Sequence, residues 1–280
     1  MRERATSALL FVPPVLLILV LGGIWVVIVV GVLVALASRE AFQLLGAAGQ
    51  PALIPLGIVL ALAVAVDAAS VEGAEPTLML LTGVGIVLAA VGAFLRPDPR
   101  DGFATWMGTV FGAVYVGMLG FVVRLGSEAP AVPTDAPLAT LGGERLFLAL
   151  LVFGVWSYDT GAYLVGKRFG RTKFLTHISP SKTYAGLLGG IVAATVVVTA
   201  LWWAAGQPIV LGVPLGIVLA LAAQAGDLAE SMLKRAAGAK DSSALIPGHG
   251  GVLDRIDSFL FAAPVVTLYV LAVGGISSAA

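Results

Sequence analysis

Residues 231–258, SMLKRAAGAKDSSALIPGHGGVLDRIDS, concentrate acidic, basic and hydroxyl side chains in an otherwise strongly apolar sequence. Asp254 and Asp257 stand at i and i+3, so they share one face if this part of the segment is helical. Carboxylates beside Lys and Arg suit a divalent cation such as Mg²⁺ that bridges phosphate oxygens, while the basic groups hold the remaining phosphate charge. The segment therefore predicts chemistry on an anionic, phosphorylated substrate.

A third acidic candidate lies upstream, at the end of an apolar run. Asp227, Ser231 and Lys234 stand at i, i+4 and i+7, with Glu230 at i+3, which places all four on one helix face. An ionisable residue at the end of a membrane span is costly and is a functional candidate. The structural alternative is that Asp227 pairs with Lys234 or Arg235 and only ends the helix.

The loop between these acidic groups is rich in residues that permit tight turns: Pro247, Gly248, Gly250 and Gly251. Backbone amides in such a loop can approach an anion closely. His249 lies within the loop, and the only other histidine is His177 in another segment. Because the chain also has no cysteine, we exclude a zinc site and interpret His249 as a positioning group.

A second polar segment occupies residues 156–190. Its ISPSKTYAG stretch supplies Ser179, Ser181, Lys182 and Thr183 just before an apolar run begins. Hydroxyls, a lysine and a helix N-terminus together predict an anion site, although a lysine here is also typical of a membrane anchor. Asp159 is a weaker candidate, because it is also placed to pair with a cation at the end of its helix. No GxxxxGK[ST] sequence is present, so the segment is not a P-loop.

The stretch SMLKRAAGAKDSSALIPGHGGVLDRID closely resembles the signature of the phosphatidate cytidylyltransferases, also called CDP-diacylglycerol synthases. The matching positions are Ser231, Lys234, Arg235, Lys240, Asp241, Pro247, His249, Gly250, Gly251, Asp254, Arg255 and Asp257. The segments YDTGAYLVGKRFG and SPSKTYAG resemble the earlier polar segment of the same family. The resemblance covers residues 156–258, and a dozen matching positions make it specific.

This resemblance implies transfer of a cytidylyl group from CTP to phosphatidic acid, which yields CDP-diacylglycerol and pyrophosphate. It implies Mg²⁺ as cofactor, with a second cation plausible, and a helical membrane bundle that forms a homodimer. The polar cavity of the family opens to the cytoplasm and to lipid. The metal-binding acidic residues of the family correspond to Asp227 and Asp254.

We assign hypothetical roles to the matching residues and to their neighbours. The predicted catalytic residues are Asp227, Asp254 and Lys234. The predicted metal ligands are Asp227, Asp254 and Asp257. The predicted substrate-binding residues are Ser179, Lys182, Thr183, Ser231, Arg235, His249, Gly250, Gly251 and Arg255.

Apolar helices must position these polar segments. The 280 residues are 59% hydrophobic and 11% charged. Apolar runs of about 20 residues recur, and each is long enough to cross about 30 Å of hydrocarbon as a helix. We predict an all-α, polytopic membrane bundle, a single domain over residues 1–280 with catalytic segments at about 156–190 and 224–258. The zero net charge gives no reason to expect a nucleic-acid partner.

Nine candidate spans cover residues 7–21, 22–37, 52–69, 77–95, 103–125, 145–165, 184–204, 209–226 and 256–275. The first two form one run, which is either a single tilted helix or two helices broken at Gly22 and Gly23. With nine spans and a cytoplasmic N-terminus, 14 of the 16 Lys and Arg residues lie inside. The positive-inside rule therefore favours nine spans. The polar segments then converge at the cytoplasmic face of a bacterial-type inner membrane.

Residues 38–50, between the second and third spans, are interpreted as a short amphipathic piece at the membrane surface with a structural role.

Three other functions are compatible with part of this pattern. A membrane CDP-alcohol phosphotransferase has a different aspartate spacing from GGVLDRID. A CTP-dependent polyprenol or dolichol kinase would release CDP in place of pyrophosphate. A transporter or channel would line a path across the membrane with polar groups, whereas here they gather at one face.

Overall fold

Helices dominate the computed structural model, which describes residues 13–70, 76–245 and 250–277. These ranges contain no β-strand, and an isolated antiparallel bridge joins Lys173 to Thr183. The prediction of an all-α fold is confirmed for this part of the chain.

The helices follow the apolar runs of the sequence. Helix α1 occupies residues 13–21 in its described part. The others are α2 (Ile24–Ala47), α3 (Ile54–Ala69), α4 (Pro76–Ala93), α5 (Pro99–Gly117), α6 (Phe121–Ser127), α7 (Gly142–Phe169), α8 (Tyr184–Ala204), α9 (Ile209–Ala236) and α10 (Leu253–Ser277). Two short 3₁₀ helices, Met118–Gly120 and Ala139–Leu141, connect α5 to α6 and lead into α7.

Gly22 and Gly23 separate α1 from α2. Their φ angles of 63° and 53° lie in the left-handed region, which side-chain-bearing residues rarely adopt and which a right-handed helix does not contain. The first apolar run is therefore two helices, one of the two alternatives that the sequence left open. Residues 7–12 of the first predicted span lie outside the described residues.

Six helices in the described residues are long and apolar enough to cross a membrane: Ile24–Ala47, Pro99–Ser127, Ala139–Phe169, Tyr184–Ala204, Ile209–Ala236 and Leu253–Val273. Ile54–Ala69 and Met79–Ala93 are shorter apolar helices. Large apolar side chains such as Val59, Leu80 and Val192 are more than half exposed, as lipid-facing residues are. The total of nine spans and the orientation of the N-terminus stay predictions.

The chain forms two compact units. Unit 1 comprises Met1–Arg124 and Glu230–Ile256, and unit 2 comprises Leu125–Ala229 and Asp257–Ala280. In unit 1, α3 packs against α2, α4 and α5, whereas in unit 2 α7 packs along α8. The single domain over residues 1–280 stays a prediction.

Small residues allow the close approach of α7 and α8 in unit 2. A Cβ atom added to Gly161 of α7 would lie 2.6 Å from Ala193 Cβ and 2.8 Å from the Gly189 carbonyl oxygen of α8. Backbones approach this closely where glycine and alanine line a helix interface, which is common in membranes.

The C-terminal part of α2 differs from expectation. The helix continues without interruption to Ala47, so a separate amphipathic piece over residues 38–50 is wrong. Ser38, Glu40 and Phe42 are buried there because this part of α2 packs into unit 1. A buried glutamate in such an apolar helix requires hydrogen-bond donors close by.

Candidate active site

A polar cavity of about 350 Å³ lies within unit 2, in the size range of small-molecule sites. Its walls come from α7, from the start of α8 and the segment that leads into it, and from α9. The lining residues are Tyr158, Asp159, Ala162, Tyr163, Gly166, Lys167, Ser181, Lys182, Thr183, Gly186, Leu187, Gln224 and Asp227. We call this space the Asp227 cavity.

Asp227 and Lys182 form an ion pair in this cavity. Their side chains are 28% and 20% exposed, so a solute can reach the pair from the cavity. The contact joins the earlier polar segment to the start of the later one, and it confirms that these two segments converge at this point. It also gives Asp227 a cation partner from another segment, in addition to the helix neighbours that its sequence position offers.

The segment before α8 places its hydroxyls differently from expectation. Thr183 lines the cavity, and its Oγ1 accepts a 3.1 Å hydrogen bond from the Gly186 amide, so this residue also caps α8. Ser181 lines the cavity, whereas Ser179 is not among the lining residues. The Ser179 amide donates to the Leu175 carbonyl at 2.9 Å, which fixes the turn that leads to Lys182.

Two residues of the cavity went unnoticed in the sequence. Tyr158 of α7 and Gln224 of α9 are buried, and the Tyr158 hydroxyl donates to Gln224 Oε1 at 2.5 Å. Lys182 Nζ lies 3.4 Å from the same oxygen. The sequence could have indicated Gln224 by its position three residues before Asp227. This spacing places a polar group on the same helix face within an apolar span.

Asp254 is the centre of a second polar cluster, which lies within unit 1. Its Oδ1 accepts from Lys234 Nζ at 2.6 Å. Its Oδ2 accepts from the Ser242 amide at 2.8 Å, the Ser242 hydroxyl at 2.7 Å and the Gly251 amide at 2.8 Å. Four donors on one carboxylate stabilise its ionised form and fix its orientation.

Lys234 lies between two carboxylates in this Asp254 cluster. Glu230 Oε2 is 2.5 Å from its ammonium, one helical turn away, and Asp254 Oδ1 is 2.6 Å away on the other side. Glu230 is fully buried, so this ion pair is shielded from solvent. The ammonium of Lys234 is therefore held between two carboxylates and has a fixed position in the cluster.

The remaining predicted residues of the later segment have varied surroundings. Ser231 is buried, and Arg255 is exposed. Arg235 donates to the Ala239 carbonyl at 2.9 Å beyond the end of α9. Asp257 Oδ1 accepts from the Ser258 amide at 2.6 Å. His249 lies outside the described residues.

The two glycines of the loop have distinct requirements. Gly250 has a φ of 78°, in the left-handed region that favours glycine. Gly251 has no space for a side chain, because an added Cβ would lie 2.6 Å from Glu40 Cδ. Glu40 of α2 is thus a further residue of the Asp254 cluster that the sequence analysis missed. The sequence feature that could have identified Glu40 is its position as an acidic residue just after a long apolar run.

The donor chemistry of both sites fits Mg²⁺ in part. Asp227 and Asp254 offer the carboxylate oxygens that Mg²⁺ prefers. Each carboxylate already has a lysine as a partner, and the described residues contain no group of three or more His, Asp or Glu side chains arranged to hold a metal. Mg²⁺ is usually bound by one or two carboxylates together with substrate phosphates and water, so the aspartate of each site is a possible protein ligand by its chemistry.

Known proteins with similar sequences identify the family of this chain. A model of the cytidylyltransferase family matches residues 2–273. The phosphatidate cytidylyltransferase of Synechocystis sp. is 32% identical over 283 residues, which is 96% of each chain. Chloroplastic phosphatidate cytidylyltransferase 5 of Arabidopsis thaliana is 36% identical over 87% of this chain and 65% of its own length. The phosphatidate cytidylyltransferase of Bacillus subtilis is 46% identical over 125 residues, 44% of this chain and 46% of its own. The chain belongs to the cytidylyltransferase family.

Proposed function

We propose that this protein transfers a cytidylyl group from CTP to phosphatidic acid, forming CDP-diacylglycerol and releasing pyrophosphate. The observation that carries the proposal is the similarity to a phosphatidate cytidylyltransferase over 96% of both chains. The apolar helices are in keeping with a lipid substrate, because they place the chain in the bilayer where that substrate resides.

The charges of the Asp227 cavity support a divalent cation as cofactor. Lys167 and Lys182 line the cavity together with Asp159 and Asp227, and their formal charges cancel. A cavity without net positive charge does not attract a triphosphate, whereas a bound Mg²⁺ would neutralise phosphate charge there. We therefore propose Mg²⁺, with Asp227 and Asp254 as ligands and Asp257 as a further ligand or a support for one.

The proposed reaction is an in-line displacement at phosphorus. An oxygen of the phosphatidate phosphate attacks the α-phosphorus of CTP, and the bond from that phosphorus to the bridging oxygen of the β-phosphate breaks. Pyrophosphate carries away the bonding electron pair. The attacking phosphate is already ionised near neutral pH, so the protein supplies position and charge compensation and needs no general base.

Lys182 is proposed to bind a phosphate, because its side chain lines the Asp227 cavity. At an effective dielectric constant near 20, unit charges about 4 Å apart interact by about 4 kcal/mol, so one ammonium substantially lowers the repulsion between two anions. If Lys182 bound a phosphate, Asp227 would be released from the ion pair and would be available to hold a metal ion. Lys234, Arg235 and Arg255 are proposed to hold other phosphate charge.

Loop residues and hydroxyls complete the proposed substrate contacts. His249, Gly250 and Gly251 shape the loop around the reacting groups, as the resemblance implies. The other proposed contacts come from Ser179, Thr183 and Ser231.

Gln224 is a further substrate contact in this proposal. Lys182 can only donate, so the amide oxygen of Gln224 faces Lys182 and Tyr158, and its Nε2 points the other way. Nε2 is buried and has no hydrogen-bond partner among the described residues, a costly state for an amide donor. A phosphate oxygen beside Lys182 would accept from Nε2 and remove that cost.

The membrane arrangement is part of the same proposal. The distribution of Lys and Arg supports nine spans, a cytoplasmic N-terminus and both polar segments at the cytoplasmic face of the inner membrane. That location gives the site access to CTP from solution and to phosphatidic acid from the inner leaflet. The family resemblance also supports a homodimer.

The proposal is tested with the purified full-length protein in detergent micelles. We expect labelled cytidine to enter the lipid extract when CTP, phosphatidic acid and Mg²⁺ are all present. The incorporation should fall to background when phosphatidic acid is replaced by diacylglycerol, because diacylglycerol has no phosphate to attack the α-phosphorus. Equal incorporation with diacylglycerol, or none with phosphatidic acid, would overturn the proposal.

A further inference from the structure

Glu40 is a carboxylate buried inside unit 1, at a position outside both polar segments of the sequence. Its exposed fraction is 4%, and it belongs to the long apolar helix α2. Burial of a carboxylate costs several kcal/mol unless strong donors replace the lost water, so its surroundings must compensate.

Four donors surround the Glu40 carboxylate, two on each oxygen. Oε1 accepts from the Val252 amide at 3.1 Å and the Ser243 hydroxyl at 2.6 Å. Oε2 accepts from the Leu253 amide at 2.8 Å and lies 3.0 Å from the Ser242 hydroxyl. All of these donors lie in a single stretch of chain more than 200 residues away in sequence.

The two amides belong to the N-terminal end of α10, which begins at Leu253. Amides at a helix N-terminus lack partners within the helix, and the helix dipole favours a negative charge there. Glu40 therefore caps α10 from a distant helix and fixes where α10 starts.

The same contacts determine the position of Asp254, the next residue along the chain. The Ser242 hydroxyl lies 3.0 Å from Glu40 Oε2 and 2.7 Å from Asp254 Oδ2, so its single proton is shared between the two carboxylates. Gly251, whose amide donates to Asp254, packs directly on the Glu40 carboxylate. Any shift of Glu40 is transmitted to the donors that orient Asp254.

We infer that Glu40 is a positioning residue, which holds Ser242, Gly251 and the start of α10 so that Asp254 keeps its orientation. The inference rests on the proposed function, because Asp254 is assigned to the reaction there. Glu40 itself touches no substrate in this scheme and acts only through the Asp254 cluster.

The test compares Glu40→Gln with the wild-type protein in the CTP and phosphatidate assay. In either orientation the new amide group faces one backbone N–H and one hydroxyl, so a donor meets donors at the start of α10. Changes to groups that orient a metal ligand typically cost about 10- to 100-fold. We expect kcat per folded protein to fall by about that factor, with the KM for CTP changed by less than about threefold.

Two further variants serve as a matched control and as a milder change to the same contact. Glu128→Gln makes the same chemical change in unit 2, outside both clusters, and should leave kcat and KM unaltered. Ser243→Ala removes the 2.6 Å bond to Glu40 Oε1, together with a local 3.1 Å bond from the Leu245 amide, and should lower kcat in the same direction but less. Ser243→Ala decides the question if Glu40→Gln fails to fold, because an unchanged kcat would then refute the inference.

Amide hydrogen exchange provides a readout that needs no activity. Peptides covering residues 250–256 should exchange faster in Glu40→Gln, while peptides from α8 should not. Faster exchange with an unchanged kcat would show that Glu40 only stabilises the fold, and this would contradict the inference. Unchanged exchange in Glu40→Gln would contradict it as well. An inactive wild-type protein would count against the proposed function, and the exchange comparison would still test Glu40.

Discussion

At the scale of single residues, the Asp227–Lys182 ion pair is the feature of unit 2 to which we assign most of the proposed chemistry. The two side chains are close in space and come from segments 45 residues apart in the sequence. An ion pair that opens into a polar cavity has a second use, since either partner can be released to a ligand of matching charge.

Asp227→Asn is expected to reduce turnover to background while the protein remains folded in the membrane. The amide preserves the volume but removes the negative charge that we assign to the metal. The measurement is turnover by the purified variant at saturating Mg²⁺, with Asp67→Asn in α3 as the control. Near-normal turnover would exclude Asp227 from the metal site, and the same experiment with Asp254→Asn tests the second ligand.

Gln224→Met is expected to lower kcat/KM by about 10- to 100-fold, because a hydrogen bond to a charged group contributes about 1.5–3 kcal/mol. Methionine preserves the length of the side chain without its donor. Separate titrations of CTP and phosphatidic acid show which phosphate Gln224 contacts, since the KM for that substrate should rise. The control is Gln50→Met at an exposed position. Unaltered kinetics in Gln224→Met would remove this residue from the site.

The sequence singles out the ionisable residues of the two polar segments, but it does not reveal polar residues whose partners are distant. Asp227, Lys182 and Asp254 were identified because ionisable groups are rare in so apolar a chain. Gln224 and Glu40 were missed because their importance depends on partners that are 42 to 213 residues away. Spacing along one helix gives no information about such distant partners.

At the scale of helices, α7 and α8 form the frame of the Asp227 cavity. Glycine and alanine at their interface bring the two backbones together, and α8 begins at the Thr183 cap next to Lys182. The position of Lys182 therefore depends on the helix contact as well as on its own turn.

Gly161→Ala is expected to destabilise the protein by about 1–3 kcal/mol, because the added methyl group overpacks the contact with α8. The measurement is the midpoint of thermal unfolding in detergent. Gly31→Ala in α2 is the matched control, since a Cβ there meets nothing within 4 Å. Equal midpoints for the two variants would contradict the close packing of α7 on α8.

Helix positions were predicted from hydropathy more reliably than helix ends. The run over residues 184–204 matches α8 at both ends, whereas the run over 209–226 stops ten residues before α9 does. Hydropathy detects the apolar part of a helix, whereas α9 continues into polar residues that we assign to the proposed site. For the same reason, hydropathy did not predict the C-terminal turns of α2, where Glu40 is located.

At the scale of the whole molecule, the account depends on which side of the membrane each loop occupies. The absence of cysteine makes this measurable, because any cysteine introduced is the only one in the chain. We predict that His177→Cys is labelled by an impermeant maleimide only from the cytoplasmic side, and Thr134→Cys only from the opposite side. Labelling of both from the same side would refute the nine-span orientation.

The most direct test of the central claim follows the separate phosphates of CTP. With phosphatidic acid and Mg²⁺, the account predicts that an α-phosphate label enters the lipid, that a γ-phosphate label stays in water, and that one pyrophosphate forms per lipid product. A γ-phosphate label in the lipid, with CDP released, would contradict cytidylyl transfer and identify a CTP-dependent lipid kinase.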